Sequence, residues 1–485
     1  MLIGREAELK YLEEKYHTSD SQLILFYGRR RIGKTETLRT FFHDKPHLFY
    51  SCPCLSDALL QERFAKQIAE ECSDGCEPLT FSDWESAFCA IRRLPFGDQK
   101  KLVIIDNFTN LCKENERIPA ILERVWNAWL QYDNVMLILS GSTVSYEEKH
   151  LFGEKSPLFQ EATGICTIPE RPVADARRFF PQYSFSDQVL TYAILGGVPY
   201  YLSQFDPKKT LSENIKDNIL NKDSLLYRET EFLLPQDEHK TAIYNALMES
   251  MAPGFLEIPA IFRKISCIDI FKLSTSLQKL TDIDVAKRET ARIRYPGESI
   301  DRCDDLYSLK DHFFRFWYTF CFSKLSELEE RNVDEVYKAI IEPALYDFAD
   351  QAFREVCTEF LKNEQKYGRL PFSSSRLGYW VGKTTIRDPE SKTGLSVAET
   401  KLDVLAVDPE GKNYLVGVTR FGKEPFRYEE YLDAKAKLTP QQKDATFYYA
   451  LFSASGFEEK LLEAEQNDST LKLYDFSQVT GEQEE

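Results

Sequence analysis

Residues 22–42 read QLILFYGRRRIGKTETLRTFF, and this stretch decides the fold. QLILFY is an apolar run of strand length, and ETLRTFF carries its apolar residues at helical spacing. Between them stands Gly28-Arg-Arg-Arg-Ile-Gly33-Lys34-Thr35, the spacing G-x-x-x-x-G-K-[ST]. A strand, a glycine-bounded loop and a helix in that order predict a phosphate-binding loop. Gly28 and Gly33 let the backbone N–H groups turn inward toward a β-phosphate, Lys34 reaches the β and γ oxygens, and Thr35 offers its hydroxyl to Mg²⁺. The expected cofactors are therefore ATP and Mg²⁺, with ATP and ADP as small-molecule partners.

Working outward, HLFYSC (47–52), KLVIID (101–106) and VMLILSG (135–141) are further strand-like runs, separated by helical segments at 55–71 and 117–131. Strands alternating with helices predict an α/β domain, a P-loop NTPase parallel sheet with crossover helices, over residues 1–168. Asp106 ends a buried run and is the acidic residue expected to hold the water shell of Mg²⁺. Its neighbour Asn107 can align a water but cannot accept a proton, which predicts slow turnover. Ser140, Gly141, Ser142 and Thr143 end another run, where a hydroxyl could sense a γ-phosphate. Asp106 is a candidate catalytic residue, and Thr35 and Asp106 are the candidate metal ligands.

The remaining chain divides by pattern. Residues 169–235 read as a helical lid broken at Gly196 and Gly197, with Pro199 following. Residues 236–310 run through three helices into VAKRETARIRY (285–295) and LYSLKD (306–311), an order that fits a winged helix-turn-helix. Residues 311–334 hold the aromatic FFRFWYTFCF, read as a buried connecting helix. Residues 335–485 begin with a long helix and continue through KLDVLAVD (401–408), NYLVGVTRF (413–421), a helix near 428–438 and FYYALFSAS (447–455), a second, smaller α/β domain.

Composition limits the partners. The 485 residues carry 61 Lys and Arg against 78 Asp and Glu, a net charge of −17 that repels a polyanion unless basic groups are gathered locally. Residues 237–310 are nearly balanced, and Lys287, Arg288, Arg292 and Arg294 lie in the expected wing with only Glu289 opposing them. These four are the candidate DNA contacts, and packing inside the protein is the alternative. The apolar runs are too short to span a bilayer, and the N-terminal segment lacks a secretory pattern, so a cytoplasmic location is expected. Eleven cysteines without a C-x-x-C pair read as reduced thiols.

IGREAEL (3–9), GRRRIGKT (28–35), LSGS (139–142), SPLF (156–159), GGVPYYL (196–202) and FFRFWY (313–318) together resemble the archaeal-type ATPases, P-loop proteins of the STAND group related to AAA+. The resemblance implies an ATPase domain, a helical lid, a winged helix and a C-terminal domain similar to PD-(D/E)xK (restriction-endonuclease-like) nucleases. It also implies that Arg5 lies near the adenine or its flanking loop, that Ser142 is the sensor, and that Pro199 contacts the nucleotide from the lid. Three departures qualify those implications. Asp106-Asn107 replaces the usual Asp-Glu, and Gln160, Glu161 and Ala162 stand after SPLF where glycine and arginines are common. In the last domain Asp403 is kept, but Gly417-Val418-Thr419-Arg420 replaces a strand bearing Glu-x-Lys. A hard divalent cation needs more than one carboxylate, so nuclease activity is not expected. Glu399 and Glu355 are read as solvated glutamates rather than substitute ligands. The function expected is an ATP-binding switch, with an ATP-gated DNA-binding regulator and a scaffold for a protein partner as alternatives.

Overall fold

The computed structural model describes residues 2–72, 81–142, 156–233, 238–265, 269–289, 306–330, 332–374, 377–387, 395–437 and 445–480. The chain divides into two compact units, one of residues 1–171, 198–203 and 277–285, the other of residues 172–197, 204–276 and 286–485.

In the first unit, β1 Gln22–Gly28, β2 His47–Ser51, β3 Lys101–Asp106, β4 Val135–Ser142 and β5 Gly164–Thr167 form a parallel sheet in the order β2-β3-β4-β1-β5. The apolar runs are continuous because both faces of the sheet are covered. Leu23 and Leu25 face one buried cluster with Val103, Ile105, Leu137 and Leu139. Ile24 and Phe26 face the other with Leu102, Ile104, Met136 and Ile138. Each such side chain contributes about 1.5–3 kcal/mol of burial. With β4 inserted between β1 and β3, the ends of the strands carrying Gly28 and Asp106 lie about 10 Å apart, two strand spacings. Helix Lys34–Phe42 starts directly at the loop and buries Leu38 and Phe41 against the second cluster.

In the second unit, helix Phe185–Leu195 begins at Ser184, whose hydroxyl accepts from Asp187 N, and Thr210 with Glu213 forms a capping box for Leu211–Ile215. β6 Leu256–Glu257, β7 Ala286–Glu289 and β8 Leu306–Leu309 form an antiparallel sheet in the order β6-β8-β7. The aromatic segment is buried as expected, with Phe313, Phe314, Phe316, Trp317 and Phe320 all under 5% exposed. The long helix Glu342–Lys366 precedes β9 Leu377–Arg387, β10 Leu395–Val407, β11 Asn413–Arg420, β12 Thr446–Ser453 and β13 Leu471–Asp475. Their order is β13-β12-β11-β10-β9, antiparallel across β9, β10 and β11, and parallel from β11 to β13. Among the described residues, no helix is long and apolar enough to cross a membrane.

Candidate functional site

Both glycines of the loop are required by its geometry. A Cβ on Gly28 would stand 2.7 Å from the backbone oxygen of Ile168, and Gly33 has φ +89°, left-handed backbone that disfavours other residues. Within the loop so formed, the Lys34 ammonium donates to the carbonyl oxygens of Gly28 and Arg29, each at 2.9 Å. Lys34 is only 9% exposed, so its charge is held inside the loop on neutral acceptors that phosphate oxygens can replace.

Thr35 donates its hydroxyl to Oδ2 of Asp106 at 2.7 Å, which joins the start of the helix to the end of β3. Asp106 is 2% exposed, and its Oδ1 is buried with no hydrogen-bond partner. An orphaned carboxylate oxygen in the interior is costly, and it fits a cation or a cation's water shell at this point. A Thr hydroxyl and one carboxylate suit Mg²⁺, which keeps several waters and takes few protein ligands. Asn107 begins helix Phe108–Glu114 at φ +56°, a conformation that asparagine adopts more readily than glutamate. Burial, with the charge of Asp106 added, pushes the Cys52 thiol up and leaves it protonated. The eight cysteines among the described residues are all free.

The other sequence-derived candidates fall around this loop. Backbone pairing sets Ser142 opposite Gly28, and its side chain lies outside the described residues. Ser140, opposite Phe26, is fully buried and its hydroxyl has no partner. Arg5 is 2% exposed; its guanidinium donates to the backbone oxygens of Ile32 at 3.1 Å and Pro169 at 2.8 Å, and pairs with Glu8 at 2.9 Å. Arg5 thus ties the N-terminal segment to the loop itself. Pro199 opens the short helix Pro199–Leu202, with its Cγ 3.8 Å from where a Cβ on Gly33 would stand. Beside it lies a contact that sequence reading missed: the Arg31 guanidinium stacks over the Tyr200 ring at 3.9 Å, with Arg31 itself at φ +69°.

In the second unit, Oδ2 of Asp403 accepts from Thr419 N at 2.9 Å, and Oδ1 faces the guanidinium of Arg354 at 3.5 Å. Val418 packs against the apolar cluster of that sheet, and Arg420 is paired with Glu430. Among the described residues, no three His, Cys, Asp or Glu side chains converge to hold a metal ion. The Glu399 side chain lies outside the described residues.

Two expectations are corrected here. Glu355 is not a solvated glutamate: it accepts from the Lys287 ammonium at 2.8 Å and faces His312 Nε2 at 3.2 Å. Burial alone would raise its pKa, but Lys287 and His312 outweigh that and hold the carboxyl well below its usual range. Nor is Glu289 the sole acid opposing the wing cations, because Lys287 is engaged by Glu355 and lies 5.0 Å over the Phe255 ring. Arg288 is exposed, whereas Arg292 and Arg294 lie outside the described residues.

Residues 2–205 match the family of ATPase domains found predominantly in Archaea, and residues 317–425 match a family of archaeal and bacterial proteins of unknown function. The phosphate loop and the Thr35 and Asp106 pair thus lie within the residues that match the ATPase-domain family. The chain is 28% identical to an uncharacterised protein of Methanocaldococcus jannaschii over 386 residues, 78% of this chain and 82% of that one. Among solved structures it is similar to a Walker-type ATPase of Pyrococcus abyssi, with 18% identity, a TM-score of 0.46 and coverage of 65% of this chain and 96% of that one. It is also similar to the Aeropyrum pernix ORC1 protein solved in complex with DNA, with 14% identity, a TM-score of 0.35 and coverage of 68% and 95%.

Proposed function

We propose that the protein is an ATP-binding switch that holds ATP with Mg²⁺ far better than it hydrolyses it, and that its nucleotide state governs the winged helix and C-terminal domain. The observation that carries this reading is the set of buried Lys34, buried Asp106 and the Thr35 hydroxyl bonded to that carboxylate, followed by Asn107. When bound, Mg²⁺ would neutralise charge on the β- and γ-phosphates. Thr35 and Asp106 would hold it, Lys34 would exchange its carbonyl acceptors for phosphate oxygens, and Asn107 would orient a water without taking its proton. Ser142 is assigned as sensor, Pro199 as the lid contact, and Arg5 as the group that fixes the loop beside the adenine.

The domain boundaries proposed are 1–168 for the ATPase, 169–235 for the lid, 236–310 for the winged helix, 311–334 for the connector and 335–485 for a nuclease-like domain without activity. The order of helices and of β6, β7 and β8 supports the winged helix, and three antiparallel strands followed by two parallel ones support the nuclease-like reading. DNA contact through Arg288, Arg292 and Arg294 is the second reading, since the engagement of Lys287 by Glu355 removes one of the four cations first assigned to it.

Equilibrium titration of a labelled ATP analogue, with and without Mg²⁺ and duplex DNA, tests both readings. The switch reading expects Mg²⁺-dependent binding with turnover well below the ~10 s⁻¹ of an average enzyme. Failure to bind the analogue overturns it, and DNA-dependent turnover replaces it with the second reading. Plasmid incubated with Mg²⁺ or Mn²⁺ should remain uncut; cleavage that disappears in Asp403→Ala would show a working nuclease centre.

A further inference from the structure

Within the second unit, residues 252–256, the helical segment around Arg315, the long helix Glu342–Lys366 and strands β9 and β10 line an open cavity of about 570 Å³. This is the size of a small-ligand pocket, roughly 300–1,000 Å³. Its cations are unusually placed. Arg315 is 5% exposed, stacks 4.0 Å over the Phe348 ring, and donates to Gln351 Oε1 at 2.7 Å and Phe348 O at 2.8 Å. Both acceptors are neutral, and among the described residues no carboxylate lies within ion-pair distance of it. Burial lowers its pKa to about 10, so it remains charged at neutral pH.

Glu355 and Asp350, the latter on the cavity wall, attract Arg315 from beyond ion-pair distance, so its burial is only partly compensated and an anion in the cavity would complete the compensation. Arg354 lines it too, stacked 4.5 Å over Tyr379 and with one guanidinium nitrogen 3.5 Å from Asp403 Oδ1, while the Phe255 ring stacks on Tyr379 at 5.1 Å. Lys401 lines the same cavity, is exposed, and has no protein partner among the described residues. Asp347 also lines it without a described partner and can accept from a hydroxyl or amino group.

We propose that this cavity binds a small organic phosphate, with Arg315, Arg354 and Lys401 taking the phosphate and Asp347 a hydroxyl or amino donor elsewhere on the ligand. Guanidinium planes held by aromatic stacking are pre-oriented for phosphate oxygens, and the volume exceeds what a bare phosphate fills. The site is separate from the phosphate loop, so it is tested in full-length Lys34→Ala protein by calorimetric titration with ribose 5-phosphate, adenosine monophosphate, inorganic phosphate and citrate. At least one of the two esters should bind one-to-one and more tightly than inorganic phosphate or citrate, and Lys401→Glu should weaken it at least tenfold. The parent protein saturated with a non-hydrolysable ATP analogue should give the same result, which guards against misfolding of Lys34→Ala. Absence of ester binding in both proteins, equal affinity for citrate or inorganic phosphate, or indifference to Lys401→Glu overturns the proposal.

Discussion

The two large sheets each carry a carboxylate, and the two are used in opposite ways. At the end of β3, Asp106 takes one hydrogen bond from Thr35 and leaves its second oxygen buried and unpartnered. On β10, Asp403 has one oxygen on Thr419 N and the other facing Arg354, while Arg420 of β11 is paired with Glu430. The first arrangement keeps valence open in the interior, which is stable only if something occupies it part of the time. The second uses protein groups to satisfy the positions where a catalytic centre would need them free. Open valence at one sheet and internal satisfaction at the other is what separates a binding site from a structural one when both carboxylates are carried on sheet strands.

The largest effect should come from the open site. Lys34→Ala removes the cation that the loop holds on Gly28 and Arg29 oxygens, and loss of a charge-assisted phosphate contact costs on the order of 2 kcal/mol or more. Calorimetry with ATP and Mg²⁺ should show affinity down by about 30-fold or more. Unchanged affinity would break the comparison at its strongest point. Next is Asn107→Glu, which supplies a base beside Asp106; turnover should rise by roughly 10²-fold, the low end for general-base catalysis. The left-handed backbone at Asn107 works against a glutamate there, so the gain is to be read alongside the melting temperature. A rate that does not change would place the missing chemistry elsewhere, at the arginine absent after SPLF.

How much of this was legible in the sequence follows from the range of each signal. The strands β1 to β4 announce themselves because burial on both faces demands continuous apolar runs, and the phosphate loop is contiguous from Gly28 to Thr35. β5 has four residues, begins at Gly164 and exposes Ile165, so it offers neither a run nor an alternation to read. β9, LGYWVGKTTIR, is interrupted by glycines and mixes polar with apolar residues. The Arg31 and Tyr200 stack, and the Lys287, His312 and Glu355 cluster, join residues far apart in the chain. No local pattern encodes such contacts. A lysine in a wing reads as a phosphate contact from sequence because the glutamate that engages it lies on a distant helix.

That cluster supplies a smaller effect. Glu355→Gln leaves Lys287 and His312 facing a neutral amide. Because Glu355 keeps about a third of its side chain in water, the cost should be about 1–2 kcal/mol of stability. The sign with pH follows from its depressed pKa: the carboxylate contributes fully above its unfolded value of 4.5, and the contribution is lost as pH falls through the lower folded value. Urea unfolding at pH 7 and at pH 3.5 should therefore show the parent's advantage over Glu355→Gln shrinking at the lower pH. An advantage that holds or grows there would mean that the cluster is not an ion pair.

The smallest effect concerns what internal satisfaction leaves behind near Asp403. Asp350, on the long helix, accepts from Phe421 N at 3.2 Å, and burial followed by the charge of Asp403 pushes its carboxyl above the usual 3.8. Its charged form is disfavoured in the folded protein, so the native state binds more protons than the unfolded chain in the interval just above pH 3.8. Stability must then fall as pH rises through that interval, the reverse of the Glu355 case. Asp350→Asn keeps an oxygen for Phe421 N and removes the titration. Its stability relative to the parent should improve between pH 4 and pH 7, with the two proteins most alike at the acidic end. If Asp350→Asn is instead less stable at pH 7 by as much as at pH 4, then the Asp350 carboxylate is compensated by a cation as Asp106 is expected to be, and the contrast between the two sheets does not extend to this residue.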